Sequence, residues 1–178
     1  MTGEERHLLR MVSLFLHYPE GSLLDSLSSL EEAVNGIFNP DAKAVCGDFL
    51  NHMRSTPILR LQETYSATFD LNPSTCLDLG YHRWGEGKER GSALARLVSL
   101  YSQAGYELVD GELPDYLPLV LEFLSLCPEE MSLEIIEAYA NQVTALATRL
   151  AEHESPYAGL LRLVSDNFGD PSCKPAGV

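Results

Sequence analysis

Basic residues are absent from a long internal part of this chain. Between Leu97 and Thr148, 52 consecutive residues contain no Lys, Arg or His. Over the whole chain, 26 Asp and Glu residues outnumber 12 Lys and Arg residues, so the formal net charge is -14. Nucleic acids and anionic membrane surfaces require a basic footprint. The charge therefore argues against both as partners, although solubility through self-repulsion is an equally good explanation of it.

Long apolar runs and paired cysteines are also missing. No apolar run approaches the roughly 20 residues of a membrane-spanning helix. The run nearest the N-terminus, Met11 to Leu16, is too short for the core of a signal peptide. Four cysteines, Cys46, Cys76, Cys127 and Cys173, form no CxxC pair. We therefore expect a cytoplasmic protein that has free thiols and does not insert into a membrane.

Catalytic and metal-binding patterns are absent as well. Gly85, Gly87 and Gly91 miss the dinucleotide-binding spacing by one position, and no phosphate loop or nucleophile elbow is present. Cys76 and His82 could share a metal, but a structural zinc site needs four ligands and no second pair is visible. We expect no metal, no cofactor and no enzyme activity. An enzyme built on carboxylates alone stays open, although no pair of acids stands out.

What the chain does have is apolar residues at helical spacing, separated by cap residues and prolines. Thr2, Asn39-Pro40, Thr56-Pro57 and Ser155-Pro156 are typical of helix starts. Strand alternation is not evident over a useful length. The sequence therefore predicts an all-α, single-domain bundle of about seven to nine helices. This domain is expected to cover residues 1–169, and residues 170–178 are expected to form a disordered tail.

The same apolar spacing predicts where individual helices begin and end. One helix is predicted from Ser22 to Gly36, a second opens after Pro114, and a third covers Ser132 to His153. Gly105 is placed to close the helix before it as a left-handed residue. The linker from Gly105 to Pro114 joins the half of the chain that contains basic residues to the stretch that contains only acids. A hinge there is plausible.

The first candidate binding segment covers residues 65–85 and combines aromatic with polar side chains. Peptide-binding hot spots use rigid aromatic side chains beside fixed polar groups. The alternative is that Tyr81 and Trp84 fill the core beneath an irregular loop. The candidate binding residues of this segment are Tyr65, Phe69, Asp70, Tyr81, His82 and Trp84.

The second candidate segment is the helix within residues 113–126, LPDYLPLVLEFLSL. Pro114 and Pro118 are tolerated only near a helix start, and Asp115 in the first turn would favour the positive end of the helix dipole. A helix that is apolar nearly all round is central to a bundle. Glu122 is then either a semi-buried carboxylate awaiting a cation or a residue at the margin of the bundle.

Several motifs within and between these segments resemble those of the nitrate reductase delta subunit family. This family is the NarJ branch of the redox-enzyme maturation chaperones that include TorD and DmsD. The resemblance covers about residues 63–126. The motifs are Phe69-Asp70-Leu71, Tyr81-His82-x-Trp84-Gly85, Arg90-Gly91-x-Ala93-Leu94 and the sequence from Leu113 to Phe123.

The resemblance implies a TorD/NarJ-like fold and a cytoplasmic chaperone. Such a chaperone binds the N-terminal segment of the apo catalytic subunit of a molybdenum reductase, with the respiratory nitrate reductase alpha chain favoured. It assists insertion of the molybdenum cofactor and assembly before membrane docking, and proteins that deliver this cofactor are further candidate partners. The wider family has an acidic residue followed by His in a hinge motif. Here Asp115 is followed by Tyr116, which puts twin-arginine signal recognition in doubt.

The residues and the resemblance together predict an apolar groove that receives a basic, amphipathic client segment. We expect Asp115→Ala to weaken client binding without unfolding the protein. One alternative is an acidic helical adaptor or assembly subunit retained in a larger complex, and another is a small-molecule carrier. The predicted groove lining is Tyr65, Phe69, Tyr81, Trp84 and Tyr116, with Asp70, Asp115 and Glu122 receiving the client's cations.

Overall fold

The computed structural model describes residues 1–108 and 111–169, and these residues form ten α-helices and one π-helical segment. Eight of the ten helices have seven or more residues, which matches the predicted number, and the predicted all-α class is confirmed. The bounds are α1 Gly3–Phe15, α2 Gly21–Asp25, α3 Leu27–Asn35, α4 Pro40–Ser55, α5 Ile58–Tyr65, the π segment Ser66–Asp70, α6 Leu79–Trp84, α7 Lys88–Gln103, α8 Leu117–Leu126, α9 Glu129–Glu152 and α10 Ala158–Phe168.

The predicted helix starts at Thr2 and Asn39 are confirmed. Thr2 forms a capping box with Glu5, in which each side chain binds the other residue's backbone amide. The side chain of Asn39 accepts hydrogen bonds from the amides of Asp41 and Ala42, with Pro40 in the first turn. Gly105, two residues after the end of α7, has the predicted left-handed backbone conformation, with φ of 83°.

Other helix boundaries differ from the prediction. Helices α5 and α10 begin at Ile58 and Ala158, and the positions before them are occupied by Pro57 and Tyr157, not by the predicted caps Thr56 and Ser155. The helix predicted from Ser22 to Gly36 is divided into α2 and α3 at Ser26, whose hydroxyl donates to the Ser22 carbonyl at 2.9 Å. Helix α9 begins at Glu129, three residues before the predicted start. Helix α8 begins at Leu117, so Asp115 precedes the helix and does not lie in its first turn.

Helix α8 lies at the centre of the core, as its sequence predicts. Leu117, Leu121 and Leu124 are completely buried, and burial of each such side chain is worth about 1.5–3 kcal/mol. Helix α1 packs along α8, and the buried Ser13 hydroxyl of α1 donates to the Pro118 carbonyl at 2.7 Å. At the other end of α8, Arg6 donates to the Cys127 carbonyl at 2.7 Å. Polar contacts therefore hold α1 at both ends of α8.

Some predictions fall outside the part of the chain that the structure describes. The tail at 170–178 and Cys173 within it are among them, whereas Cys46, Cys76 and Cys127 are free thiols. Within residues 1–108 and 111–169, no helix combines the length and the apolar character that crossing a membrane would require. The same residues contain no group of three His, Cys, Asp or Glu side chains arranged to hold a metal ion.

Candidate functional site

The nine residues predicted to bind a client do not line one groove. Tyr65 and Phe69 are core residues, 4% and 3% exposed. Their ring centroids lie 5.0 Å apart, and the Phe69 ring lies 4.8 Å from that of Tyr157 on the other side. Aromatic pairs at these distances stabilise a core beyond the area they bury. These two residues therefore belong to the core, and their predicted placement in the lining of a surface groove is wrong.

Asp115 is also inside the protein, and the predicted surface position is wrong for it. Its carboxylate oxygen Oδ2 accepts the amide of Gly80 at 2.9 Å and the Arg90 guanidinium at 3.2 Å, and the side chain has no exposed surface. Its backbone carbonyl accepts the amide of Leu79 at 3.0 Å. The acid therefore lies at the N-terminal end of α6, where a negative charge is favourable, and not in the first turn of α8.

Asp78 completes what we call the buried acid cluster, formed by Asp78, Gly80, Arg90 and Asp115. The Arg90 guanidinium lies 3.5 Å from the Asp78 carboxylate, and the arginine side chain is 12% exposed. Burial, and then the neighbouring charge of Asp115, raises the pKa of Asp78. Within residues 1–108 and 111–169, the second carboxylate oxygen of Asp115, Oδ1, has no hydrogen-bond partner. One arginine thus serves both acids of the cluster, and their mutual repulsion is only partly offset.

Tyr81, His82 and Trp84 lie on α6. The Trp84 ring is half-buried and meets the Tyr139 ring of α9 edge-on, with centroids 6.3 Å apart. The guanidinium of Arg83 lies 4.7 Å from the centroid of the Trp84 ring, a cation–π distance. Trp84 therefore fixes α6 on α9.

His82 has a structural position on the same helix. Its Nδ1 atom lies 3.2 Å from Arg149, which can only donate, so Nδ1 accepts and Nε2 carries the proton. Nε2 donates to the Cys76 carbonyl at 2.7 Å. Burial, and more weakly the charge of Arg149, lowers the pKa of His82. The imidazole is thus held in one neutral tautomer between the loop at residues 72–78 and α9.

A surface groove beside α8 is the concave feature whose lining is most suitable for binding a partner. We call it the acidic groove. Its two sections have volumes of about 350 and 530 Å³, and they share His17 and Glu112. Three large apolar side chains of its lining are exposed: Leu126 is 54% exposed, Tyr106 41% and Tyr18 39%. Exposed apolar patches of this kind mark interaction surfaces. The other apolar lining residues are Leu14, Leu23, Tyr101, Leu108, Tyr116, Leu119 and Phe123.

The charged residues that line the acidic groove all have the same sign. Four glutamates line it, Glu20, Glu107, Glu112 and Glu122, and no Lys or Arg is found among the lining residues that the structure describes. Apolar side chains between acids can bind a ligand that carries both apolar and cationic groups. This arrangement can therefore bind a partner of that kind.

Tyr116 joins the acidic groove to the core. The Tyr65 hydroxyl donates to the Leu16 carbonyl at 3.0 Å, because a carbonyl can only accept. The Tyr116 hydroxyl, 2.9 Å from that of Tyr65, therefore donates to it. The centroid of the Tyr116 ring lies 6.3 Å from that of His17 in the groove. Burial raises the pKa of Tyr116, so its hydroxyl stays protonated at neutral pH.

Glu122 lies at the margin of the bundle and already has a cation. The guanidinium of Arg10 on α1 contacts its carboxylate in an ion pair. The side chains are 41% and 37% exposed, for Arg10 and Glu122 respectively, so water reaches both. Both alternatives considered for Glu122 therefore apply in part. The residue lies at the margin of the bundle, and its carboxylate is paired with a cation, Arg10 of the same chain.

The acidic groove contains two of the nine predicted residues, Tyr116 and Glu122. Asp70 is exposed at the end of the π segment and is not among the lining residues. Sequence reasoning missed Tyr106, Leu126 and His17. The run without basic residues did contain a usable signal, since three of the four glutamates of the groove, Glu107, Glu112 and Glu122, fall within it.

Comparison with known proteins places the chain in context. Residues 35–162 match the model of the nitrate reductase delta subunit family. The nitrate reductase molybdenum cofactor assembly chaperone NarJ of Escherichia coli K12 is 36% identical over 88% of this chain and 67% of its own length. The probable chaperone of the same name from Bacillus subtilis 168 is 33% identical over 92% of this chain and 89% of its own. Both relatives are named as assembly chaperones and not as enzymes.

One solved structure has a similar fold. It is the crystal structure of a candidate redox enzyme maturation protein from Archaeoglobus fulgidus. The two folds superpose with a TM-score of 0.68 at 24% identity, covering 93% of this chain and 94% of the other. This likeness agrees with the all-α bundle described above.

Proposed function

Because the chain belongs to the nitrate reductase delta subunit family, we propose that it is a non-catalytic chaperone for assembly of a nitrate reductase. Its client is the N-terminal segment of the apo catalytic subunit, bound in the acidic groove before the molybdenum cofactor is inserted and the enzyme docks at the membrane. The names of the relatives support the chaperone role. The client segment, its binding site and the cytoplasmic location of the protein are predictions.

The observation that carries this proposal is the lining of the acidic groove. Leu126, Tyr106 and Tyr18 offer apolar area that is open to solvent in the free protein. Glutamates border this area, and the lining contains no basic residue among the described positions. An amphipathic helix or an extended peptide binds such a surface through its apolar side chains. Its Lys or Arg residues are then attracted by the glutamates.

Within the acidic groove, we assign Tyr116 and Glu122 to client contact. Tyr81, His82, Trp84 and Asp70 lie elsewhere, and their part in binding stays a prediction. The adaptor alternative gains no support from the names of the relatives.

Isothermal titration calorimetry tests the proposal. The titrant is a synthetic peptide of the N-terminal segment of the nitrate reductase catalytic subunit from the same organism, at 50 and 500 mM salt. We expect a dissociation constant of about 1–10 µM or lower at low salt, a range that apolar anchoring in a small groove can supply. High salt is expected to weaken the interaction, because screening reduces the attraction between the glutamates and the peptide's cations.

A matched pair of variants locates the site. Leu126→Gln removes an exposed apolar side chain from the acidic groove, and we expect it to weaken peptide binding about tenfold, the value of one buried leucine. Leu59→Gln is the control, because Leu59 is 64% exposed on α5 and does not line the groove. Equal affinities for the two variants would place the site elsewhere. No binding at either salt would contradict the proposed client.

A further inference from the structure

The ion pair between Arg10 and Glu122 has a consequence for binding at the acidic groove. Glu122 is one of the four glutamates of the lining, and an arginine of the chain itself, Arg10, contacts its carboxylate. Arg10 is not among the lining residues, so it reaches the wall of the groove from α1. A ligand cation that approaches Glu122 meets a carboxylate whose partner is already in place.

We propose that Arg10 is an internal competitor for Glu122, and that it sets how strongly the acidic groove discriminates basic from neutral segments. A cationic side chain of the client must displace Arg10 to reach Glu122, whereas an apolar side chain need not. This inference rests on the proposed function, and it identifies the client as a segment that carries at least one Lys or Arg beside its apolar residues.

The position of the pair suits this role. Both side chains are more than one-third exposed, so Arg10 can swing into water without leaving a buried charge. Glu122 would lose one cation and gain another, and the two states would differ little in free energy. The buried acid cluster differs in this respect, because Asp115 is completely buried and Arg90 is 12% exposed. Exchange of the cation is practical at the groove and not in that cluster.

The neighbouring charges strengthen the competition. Glu107 and Glu112 line the same section of the groove as Glu122. Their charges add to the negative field of this section, which attracts the cations of a client. Removal of Arg10 would leave Glu122 unpaired in this acidic field. A cationic ligand would then bind without first breaking an ion pair.

A double-mutant cycle tests the proposal. Calorimetry with the same N-terminal peptide is carried out on the parent, Arg10→Gln, Glu122→Gln and the double variant at low salt. We expect Arg10→Gln to raise the affinity about two- to fivefold, the range for loss of an exposed ion pair. In the Glu122→Gln background, the same change should have much less effect, because there is no carboxylate left to compete for. Glu122→Gln alone should weaken binding.

Two controls separate competition from a general charge effect. Arg162→Gln changes the net charge by the same amount, and Arg162 is 82% exposed on α10 and does not line the acidic groove. We expect no change in affinity from it. A second peptide, with every Lys and Arg replaced by Gln, should bind the parent and Arg10→Gln equally.

The outcomes distinguish the failure of this inference from the failure of the proposed function. If the parent binds neither peptide, the proposed client is wrong, and the role of Arg10 is overturned with it. If the parent binds and Arg10→Gln does not bind the basic peptide more tightly, only the competition is overturned. An equal gain with and without Glu122, or an equal gain from Arg162→Gln, would also overturn it, because the effect would then be that of net charge.

Discussion

The buried acid cluster and the acidic groove contain residues of the same type from the same acid-rich stretch, Asp115 and Glu122. They differ in what surrounds them. Asp115 has no exposed surface, and its partners are the Gly80 amide and the Arg90 guanidinium. Glu122 is 37% exposed and has one partner, Arg10, which water also reaches. A carboxylate that is enclosed by the fold stabilises the fold, whereas a carboxylate at the edge of the fold is available to a ligand.

The two acids are expected to differ in the free energy lost with a partner, because Asp115 is removed from water and Glu122 is not. A charge removed from water depends on its few protein partners, so loss of one of them leaves an uncompensated buried group. A charge that keeps contact with water loses little when a partner leaves. The chain therefore has one acidic site that cannot exchange its partners and another that can. Binding is expected at the second.

The largest expected effect is on stability, from Asp115→Ala compared with Glu122→Ala. Asp115→Ala removes the acceptor of the Gly80 amide and leaves Arg90 with Asp78 and Glu86 as its acidic partners. We expect a loss of about 3 kcal/mol in the free energy of unfolding, typical of a broken buried ion pair. For Glu122→Ala we expect less than about 1 kcal/mol, the usual range for exposed pairs. Urea denaturation measures both values.

This result would revise an expectation from the sequence, that Asp115→Ala leaves the fold intact. Similar losses for the two variants would contradict the distinction between a structural and an exchangeable acid. Binding by Asp115→Ala is informative only at a temperature where that variant is folded, which circular dichroism establishes.

A smaller effect is expected from Gly80→Ala, which tests how closely the buried acid cluster is packed. A Cβ atom at Gly80 would lie 2.6 Å from the Asp115 carboxylate oxygen and 3.5 Å from the Arg90 side chain. One of these groups must move, and we expect a loss of about 1–3 kcal/mol, typical of overpacking. The measurement is again the free energy of unfolding in urea.

Gly91→Ala is the matched control for this change. Gly91 lies inside α7, and beyond its chain neighbours and the local helix backbone, a Cβ atom there would meet no atom of the described residues within 4 Å. The same substitution should raise stability by about 0.5–1 kcal/mol, because alanine favours a helix more than glycine does. Opposite signs for the two variants would support close packing around Asp115. A gain in stability for Gly80→Ala would contradict it.

The contrast between these regions also marks the limit of what the sequence predicts. Helical spacing and cap residues were sufficient for the all-α class and for the central position of α8, since both depend on local pattern and on average burial. Asp115 was misplaced because its partners, Gly80 and Arg90, are 35 and 25 residues away in the chain. No local pattern records such contacts.

The candidate site was predictable only in its charge. The absence of basic residues between Leu97 and Thr148 indicated an acidic surface, and the acidic groove draws three of its glutamates from that stretch. Its remaining lining comes from the helices α1, α2, α7 and α8 and from the segments that follow α1, α2 and α7. The position of His17 beside Tyr116 is a property of the fold, because α1 and α8 are brought together by packing.

The smallest expected effect concerns pH, and it tests whether His82 belongs with the structural region. Burial lowers the pKa of His82 in the folded protein. The unfolded chain therefore takes up this proton at a higher pH than the folded protein does, near the ordinary histidine value of about 6.5. As the pH falls through that value, the free energy of unfolding decreases.

Replacing the imidazole removes this dependence while keeping its contacts. In His82→Gln, the amide nitrogen can donate to the Cys76 carbonyl and the amide oxygen can accept from Arg149, as the imidazole does. We expect the parent to lose more stability than His82→Gln between pH 7.5 and 5.5, as measured by urea denaturation. His17→Gln, from the acidic groove, is the control variant, and its free energy of unfolding is measured over the same pH range. An equal loss in the parent and in His82→Gln would show that His82 is as free to be protonated as a surface histidine, and α6 would then lack the fixed, neutral contact that connects it to α9.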